Sequence, residues 1–261
     1  MKFEQAHVSK TLEPFFGEKF RKKWNLKNYF NPDAPAAFLG LYRSEDIEKF
    51  MSHKSERILI FGGSDIKLNT VSKIKKSFSD GRTYSWMYPG EISDLMLKYE
   101  VPHKTLYIAL KDYSEFKPVA LGDKIYVYRG AKKTNPEYFK WSEVVEPLIR
   151  YFGKERVLFT DGQDSVNLID KFYSKSFVYV KPNAKGGNTT MWELGHMGIK
   201  TLGKGHSPAL PNFLEYSDFN HLVSLIEKEE KNIGKTNHDL AEKVNSVFNK
   251  NQKWLTVDFW K

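Results

Sequence analysis

Short apolar runs alternate with amphipathic ones along this chain, and the alternation is played out twice. "AAFLGLY" (36–42), "RILIFGG" (57–63), "RTYSWMY" (82–88) and "KTLYIAL" (104–110) have the length and apolar content of strands. "SEDIEKFMSH", "TVSKIKKSF" and "EISDLMLKYE" lie between them and read as helices, the first with Ser44 as N-cap ahead of Glu45 and Asp46. After "EFKPVALGD" (115–123), where Pro118 and Gly122 break the pattern, the theme returns. "KIYVYRG" (124–130), "RVLFTDG" (156–162), "SFVYVKP" (176–182) and "IKTLG" (199–203) are the second set of strands. "PEYFKWSEVVEPLIRYFG", "SVNLIDKFYS" and "TTMWELGHMG" are the helices between them. Strand–helix alternation of this kind predicts parallel sheets covered by helices, because parallel neighbours need crossover connections. The expected fold class is therefore α/β, with an N-terminal domain over 1–118 and a C-terminal domain over 119–235. A last segment, 236–261, holds a helix and the tail "WLTVDFW", too apolar to float free and expected to pack back on the protein. No internal repeat and no low-complexity segment is visible.

Composition narrows the function classes. The chain has 261 residues, 40% hydrophobic and 15% aromatic, enough to bury a core. It has no cysteine, which removes disulfides, thiolate metal sites and a cysteine nucleophile. No apolar run approaches the ~20 residues of a membrane span, and "MKFEQAHVSKTLEPFF" lacks the apolar core of a signal peptide. The expectation is a cytoplasmic protein with no integral membrane segment. The formal charge of +9 favours anionic partners such as nucleotides or nucleic acid. Part of the surplus is local, with seven Lys or Arg against three Glu in residues 1–30, and "KIKKSF" at 73–78. A solvated basic face accounts for such runs equally well.

The chemistry concentrates in "KPNAKGGNTTMWELGHMGIKTLG", which begins at Lys181. Gly186 and Gly187 let backbone approach a ligand closely. Thr189 and Thr190 fall at a helix start, where free N–H groups and the helix dipole favour an anion such as a diphosphate. Glu193, one turn further in, is placed to accept hydrogen bonds from a ribose diol, the division of labour found in dinucleotide sites. The pattern is neither the dinucleotide glycine fingerprint nor a phosphate-binding P-loop. A glycine turn with a threonine cap and a surface glutamate would use the same residues.

The order of these segments resembles the retaining glycosyltransferases of family 4, over about residues 57–230. "FGGSDI" (61–66) is similar to the family's loop after an N-domain strand. "GEISDLMLKYEVPHKTLYIALKDYSEFKPV" (90–119) is similar to its bridge between domains, through Val101, Pro102, Lys104, Asp112, Phe116 and Pro118. "KIYVYRGAKKTN" (124–135) resembles the first C-domain strand, and 168–202 resembles the nucleotide-binding core, with Glu193 as the second of the family's paired glutamates. The resemblance implies two Rossmann-like domains facing across a cleft, the GT-B fold, with a reduced N-terminal domain. It implies a UDP- or GDP-linked sugar as donor, metal-independent transfer to a hydroxyl acceptor with retention, and no cofactor besides the donor itself. Arg129 and Lys132 or Lys133 would bind the donor phosphates, and Gly187, Asn188 and Thr189, with Gly186 and Thr190 beside them, would supply further donors. Gly63, Ser64 and Asp65 would face the sugar from the other domain. Two positions depart from the family: Lys185 stands where the first paired glutamate belongs, and Gly62 where a histidine precedes Gly-Ser-Asp.

No Asp-x-Asp triplet is present, and the seven histidines show no helical metal-ligand spacing, so no metal site is expected. His196 reads as a packing or hydrogen-bonding residue on the Glu193 helix. Tyr84, Trp86 and Tyr88 share one strand face and read as core more readily than as a stacking platform. The acceptor could be a glycan, a small molecule or, given the charge, a hydroxymethylated pyrimidine in DNA. A non-catalytic nucleotide-binding protein is the alternative that Lys185 and Gly62 favour. A nicotinamide enzyme lacks its glycine fingerprint here.

Overall fold

In a computed structural model the chain forms two compact units, Met1–Tyr113 with Val247–Lys261, and Ser114–Ser246. The structure describes residues 1–61, 65, 67–87, 96–105, 107–128, 140–160, 167–182, 189–204, 210–249 and 252–261.

Among its described residues the first unit holds six strands: β1 (Gln5–Val8), β2 (Lys27–Asn28), β3 (Ala36–Leu39), β4 (Arg57–Ile60), β5 (Thr83–Met87) and β6 (Lys104–Thr105). They pair in the order β2-β1-β3-β4-β5-β6, every pair parallel. Ala36, Ala37, Phe38 and Leu39 are all fully buried, as are Ile58, Leu59 and Ile60. Such continuous apolar strands mark a sheet covered on both faces. Its helices are α1 (Glu18–Trp24), α2 (Ser44–Ser52) and α3 (Leu68–Ile74). Arg43, not Ser44, is the N-cap of α2. Asp46 explains the shift, since its Oδ2 accepts the Arg43 amide at 2.9 Å and anchors the entry from inside the first turn. The last residues return to this unit. Trp254 is fully buried, 6.0 Å from the Phe20 ring and edge-on to Trp24 at 5.3 Å.

Two strands here escape the sequence reading. β1 carries Gln5 and His7 among its four residues, which hides its apolar pattern. Both polar side chains are satisfied inside. Gln5 Nε2 donates to the carbonyls of Asn31 and Ala34, and His7 Nε2 lies 2.8 Å from Asp46 Oδ1. β2 is only two residues long. The predicted strand over 104–110 shrinks to β6, and the described residues 107–110 leave the ladder.

The second unit holds β7 (Lys124–Tyr128), β8 (Val157–Thr160), β9 (Ser176–Lys181), β10 (Lys200–Gly203) and β11 (Phe213–Glu215), in the order β11-β10-β9-β7-β8 and again all parallel. Its helices are α4 (Glu146–Phe152), entered through a wide turn at Trp141–Val145, then α5 (Thr189–His196), α6 (Phe219–Glu230) and α7 (His238–Asn249). The helix predicted from "SVNLIDKFYS" is a single wide turn over Ile169–Tyr173 among the described residues. Strand order reverses between β9 and β7. The chain steps one way from β7 to β8 and the opposite way from β9 to β10. With right-handed crossovers this puts α4 and α5 on opposite faces of the sheet. α6 lies on the α4 face, where Tyr151 Oη donates to Glu227 Oε1 at 2.9 Å. Among the described residues no helix is long and apolar enough to cross a membrane.

Candidate functional site

β9 is buried along all six residues and lies inside the second sheet. The chain leaves its carboxyl end and, after 183–188, starts α5 on a side of the sheet where open α/β folds place their ligands. Thr189 and Thr190 are half-buried at the first two helical positions. Met191, Trp192 and Leu194 below them are at most 1% exposed and fix the helix to the core.

A second anchor comes from Asn212, which is fully buried. Its Nδ2 donates to the Met191 carbonyl at 2.9 Å and to the Ile199 carbonyl at 3.3 Å, tying α5 to the entry of β10. Gly195 is what allows the approach: a Cβ there would stand 2.8 Å from Asn212 Cγ. Nothing in the sequence distinguishes Asn212 from an ordinary loop asparagine.

Glu193 sits one turn into α5 and is 8% exposed. Its Oε2 accepts a hydrogen bond from the Tyr173 hydroxyl at 2.7 Å. Tyr173 is fully buried just ahead of β9. Burial, followed by the nearby charge of Glu193, pushes its phenol far above the usual tyrosine range. It is therefore a permanent donor to the carboxylate. Tyr173 and Glu193 thus form a buried polar pair, with Glu193 on the first turns of the helix that Thr189 and Thr190 open. His196, a turn further, is 3% exposed with Nδ1 2.7 Å from the Trp192 carbonyl, in keeping with a packing role.

Asp65 lies in the first unit and is 2% exposed. Its Oδ2 accepts the Leu41 amide at 2.9 Å, which ties the segment after β4 to the one after β3. Gly63, Ser64, Arg129, Lys132, Lys133, Lys185, Gly186, Gly187 and Asn188 lie outside the described residues. Tyr84 is half-buried with its ring 6.3 Å from that of Trp260, while the Trp86 side chain and Tyr88 are also outside. Among the described residues no group of three or more His, Asp or Glu side chains is arranged to hold a metal ion.

No family model matches the chain, and no curated protein matches it. Among solved structures it is similar to a sucrose-phosphate synthase from Thermosynechococcus elongatus, with a TM-score of 0.57 and 12% sequence identity. The match covers 91% of this chain and 74% of that one. At this identity the likeness is one of fold, and it extends over both units described above.

Proposed function

We propose that this chain is a glycosyltransferase that moves a sugar from a UDP- or GDP-linked donor to a hydroxyl acceptor. The observation that carries the reading is the buried Tyr173–Glu193 pair, with Glu193 in α5, beyond the carboxyl end of a buried parallel strand. It supplies a pre-oriented carboxylate for a ribose diol beside a helix start suited to a diphosphate. The fold shared with a sucrose-phosphate synthase supports the reaction class.

In such a transfer the bond between the anomeric carbon and the donor's phosphate oxygen breaks, and negative charge grows on the departing diphosphate. Fixed cations and N–H groups stabilise that charge best where water is excluded. In this reading Arg129, with its planar fork, and Lys132 or Lys133 meet the diphosphate, and the amides of Gly187, Asn188 and Thr189 complete the cradle. No metal is assigned a part. Retention at the anomeric carbon is the outcome that the family resemblance supports. Asp65, which the same resemblance assigns to the sugar, holds the Leu41 amide.

The test is calorimetric titration with UDP, GDP, ADP and their sugar conjugates, then with Glu193→Ala and Arg129→Ala. Both substitutions are expected to weaken the tightest-binding nucleotide while the melting temperature shows the protein still folded. Loss of one phosphate donor is expected to raise the transfer barrier by ~3–4 kcal/mol. Affinity unchanged in both variants overturns the assignment.

A further inference from the structure

On the face of the second sheet away from Glu193 there is a cavity of about 260 Å³. It opens beyond the ends of β9 and β10 and lies between the wide turn at Trp141–Val145 and the first turn of α6. Tyr216 lines it. This residue is 2% exposed, its amide is held by the Gly203 carbonyl at 3.0 Å, and its hydroxyl is buried without a hydrogen-bond partner among the described residues. A buried hydroxyl left in that state is costly, and a native structure that keeps one needs a reason. Burial, with Glu143 adding to it, raises the phenol to about 12, so Tyr216 offers a proton at neutral pH.

The charges around it are not equivalent. Glu143 is taken up by Lys140, 2.8 Å away. Asp218 caps α6, accepting the His221 amide at 2.9 Å and the Ser217 hydroxyl at 2.8 Å. Both lining carboxylates thus have partners of their own. Lys204, by contrast, is exposed at the cavity and makes no ion pair among the described residues. The groups left to a ligand are therefore two donors, one of them cationic. The remaining wall includes Phe219 and Leu222, which suit a carbon skeleton and not a bare ion. The volume falls just under the ~300–1,000 Å³ of drug-sized sites, which limits the occupant to a small molecule.

We infer that this cavity is a second binding site, for a small organic phosphate whose anionic oxygens accept from Lys204 and from the Tyr216 hydroxyl. Lysine serves phosphates as a point charge and needs no planar match, which fits a lone ammonium at a rim. The site rests on Tyr216 and Lys204 and not on the donor reading of Glu193, so loss of nucleotide-sugar binding would leave it standing.

The test is calorimetric titration of the full chain with ribose 5-phosphate, inorganic phosphate and ribose at millimolar concentrations. Ribose 5-phosphate is expected to bind one molecule per chain, more tightly than inorganic phosphate, with ribose silent. Lys204→Ala and Tyr216→Phe are each expected to weaken it by roughly tenfold or more, the loss of a charge-assisted hydrogen bond. Tyr216→Phe removes a partnerless hydroxyl, so its melting temperature should not fall, and Glu193→Gln should leave the phosphate affinity unchanged. The proposal is overturned if ribose 5-phosphate fails to bind, if both variants bind it as the parent does, or if Glu193→Gln abolishes binding. Equal affinity for inorganic phosphate overturns the organic phosphate as ligand.

Discussion

The bond between Tyr173 and Glu193 can be weighed by a double-mutant cycle. Tyr173→Phe removes one oxygen and keeps the ring, so no cavity opens. Glu193→Gln keeps the shape and removes the charge. The hydrogen bond is 2.7 Å long, both residues are buried, and the acceptor is a carboxylate. Hydrogen bonds to charged groups contribute ~1.5–3 kcal/mol, so each single variant should lose about that much. The double variant should lose less than the sum, since Tyr173→Phe removes the bond that Glu193→Gln has already weakened to a neutral one, leaving a coupling of ~1–2 kcal/mol. For a chain of this size 1 kcal/mol corresponds to roughly 2–4 °C in melting temperature, so a single variant should melt about 3–12 °C lower. Urea unfolding followed by circular dichroism supplies the energies, and nucleotide titration of the same four proteins supplies the functional half. If the bond orients Glu193 for a ribose, Tyr173→Phe should also weaken nucleotide binding, by less than Glu193→Ala does. Additive losses, with no coupling beyond error, would refute the idea that these two groups act as one unit.

Three further outcomes follow from the packing. Gly195→Ala drives a Cβ against Asn212 and should cost ~1–3 kcal/mol; adding Asn212→Ala should recover part of that loss in urea unfolding, and a fully additive pair would contradict the contact. Asp80→Asn strips the carboxylate 2.8 Å from the buried Arg57 guanidinium and should destabilise by ~3 kcal/mol, the lower end for a broken buried pair because Asp80 is partly exposed; a loss below about 1 kcal/mol would place the pair among surface bridges. Burial pushes His53 down to about 4 from its ordinary 6.5. Between those values the unfolded chain binds the extra proton and the folded one does not, so stability should fall as pH drops from about 6.5 towards about 4. His53→Gln should flatten that slope in pH-dependent melting, and an unchanged slope would mean that another group sets it.

The sequence shows the sheets best where strands carry a run of consecutive apolar residues. β3, β4, β7 and β9 announce themselves because their central residues are covered on both faces. β1 stayed hidden because Gln5, buried, and His7, half-buried, rest on polar partners 25–39 residues away, and no local pattern reports such a partner. The site divides in the same way. Thr189, Thr190 and Glu193 are legible as a helix entrance followed by an acid one turn in. Tyr173, which hydrogen-bonds Glu193, lies 20 residues earlier and on the far side of β9. Asn212 and Tyr216 are equally invisible, since what marks them is a tertiary contact in one case and a missing bond in the other.

The first unit takes back residues 247–261 after the whole second unit has intervened. On the ribosome, Phe20 and Trp24 emerge more than two hundred residues before Trp254, the ring that covers them. Until it arrives, an apolar face of the nascent unit stays wet and adhesive, while the polypeptide for the second unit is already outside. The half made first is therefore finished last, and that interval is when the newborn chain most needs a chaperone's shelter.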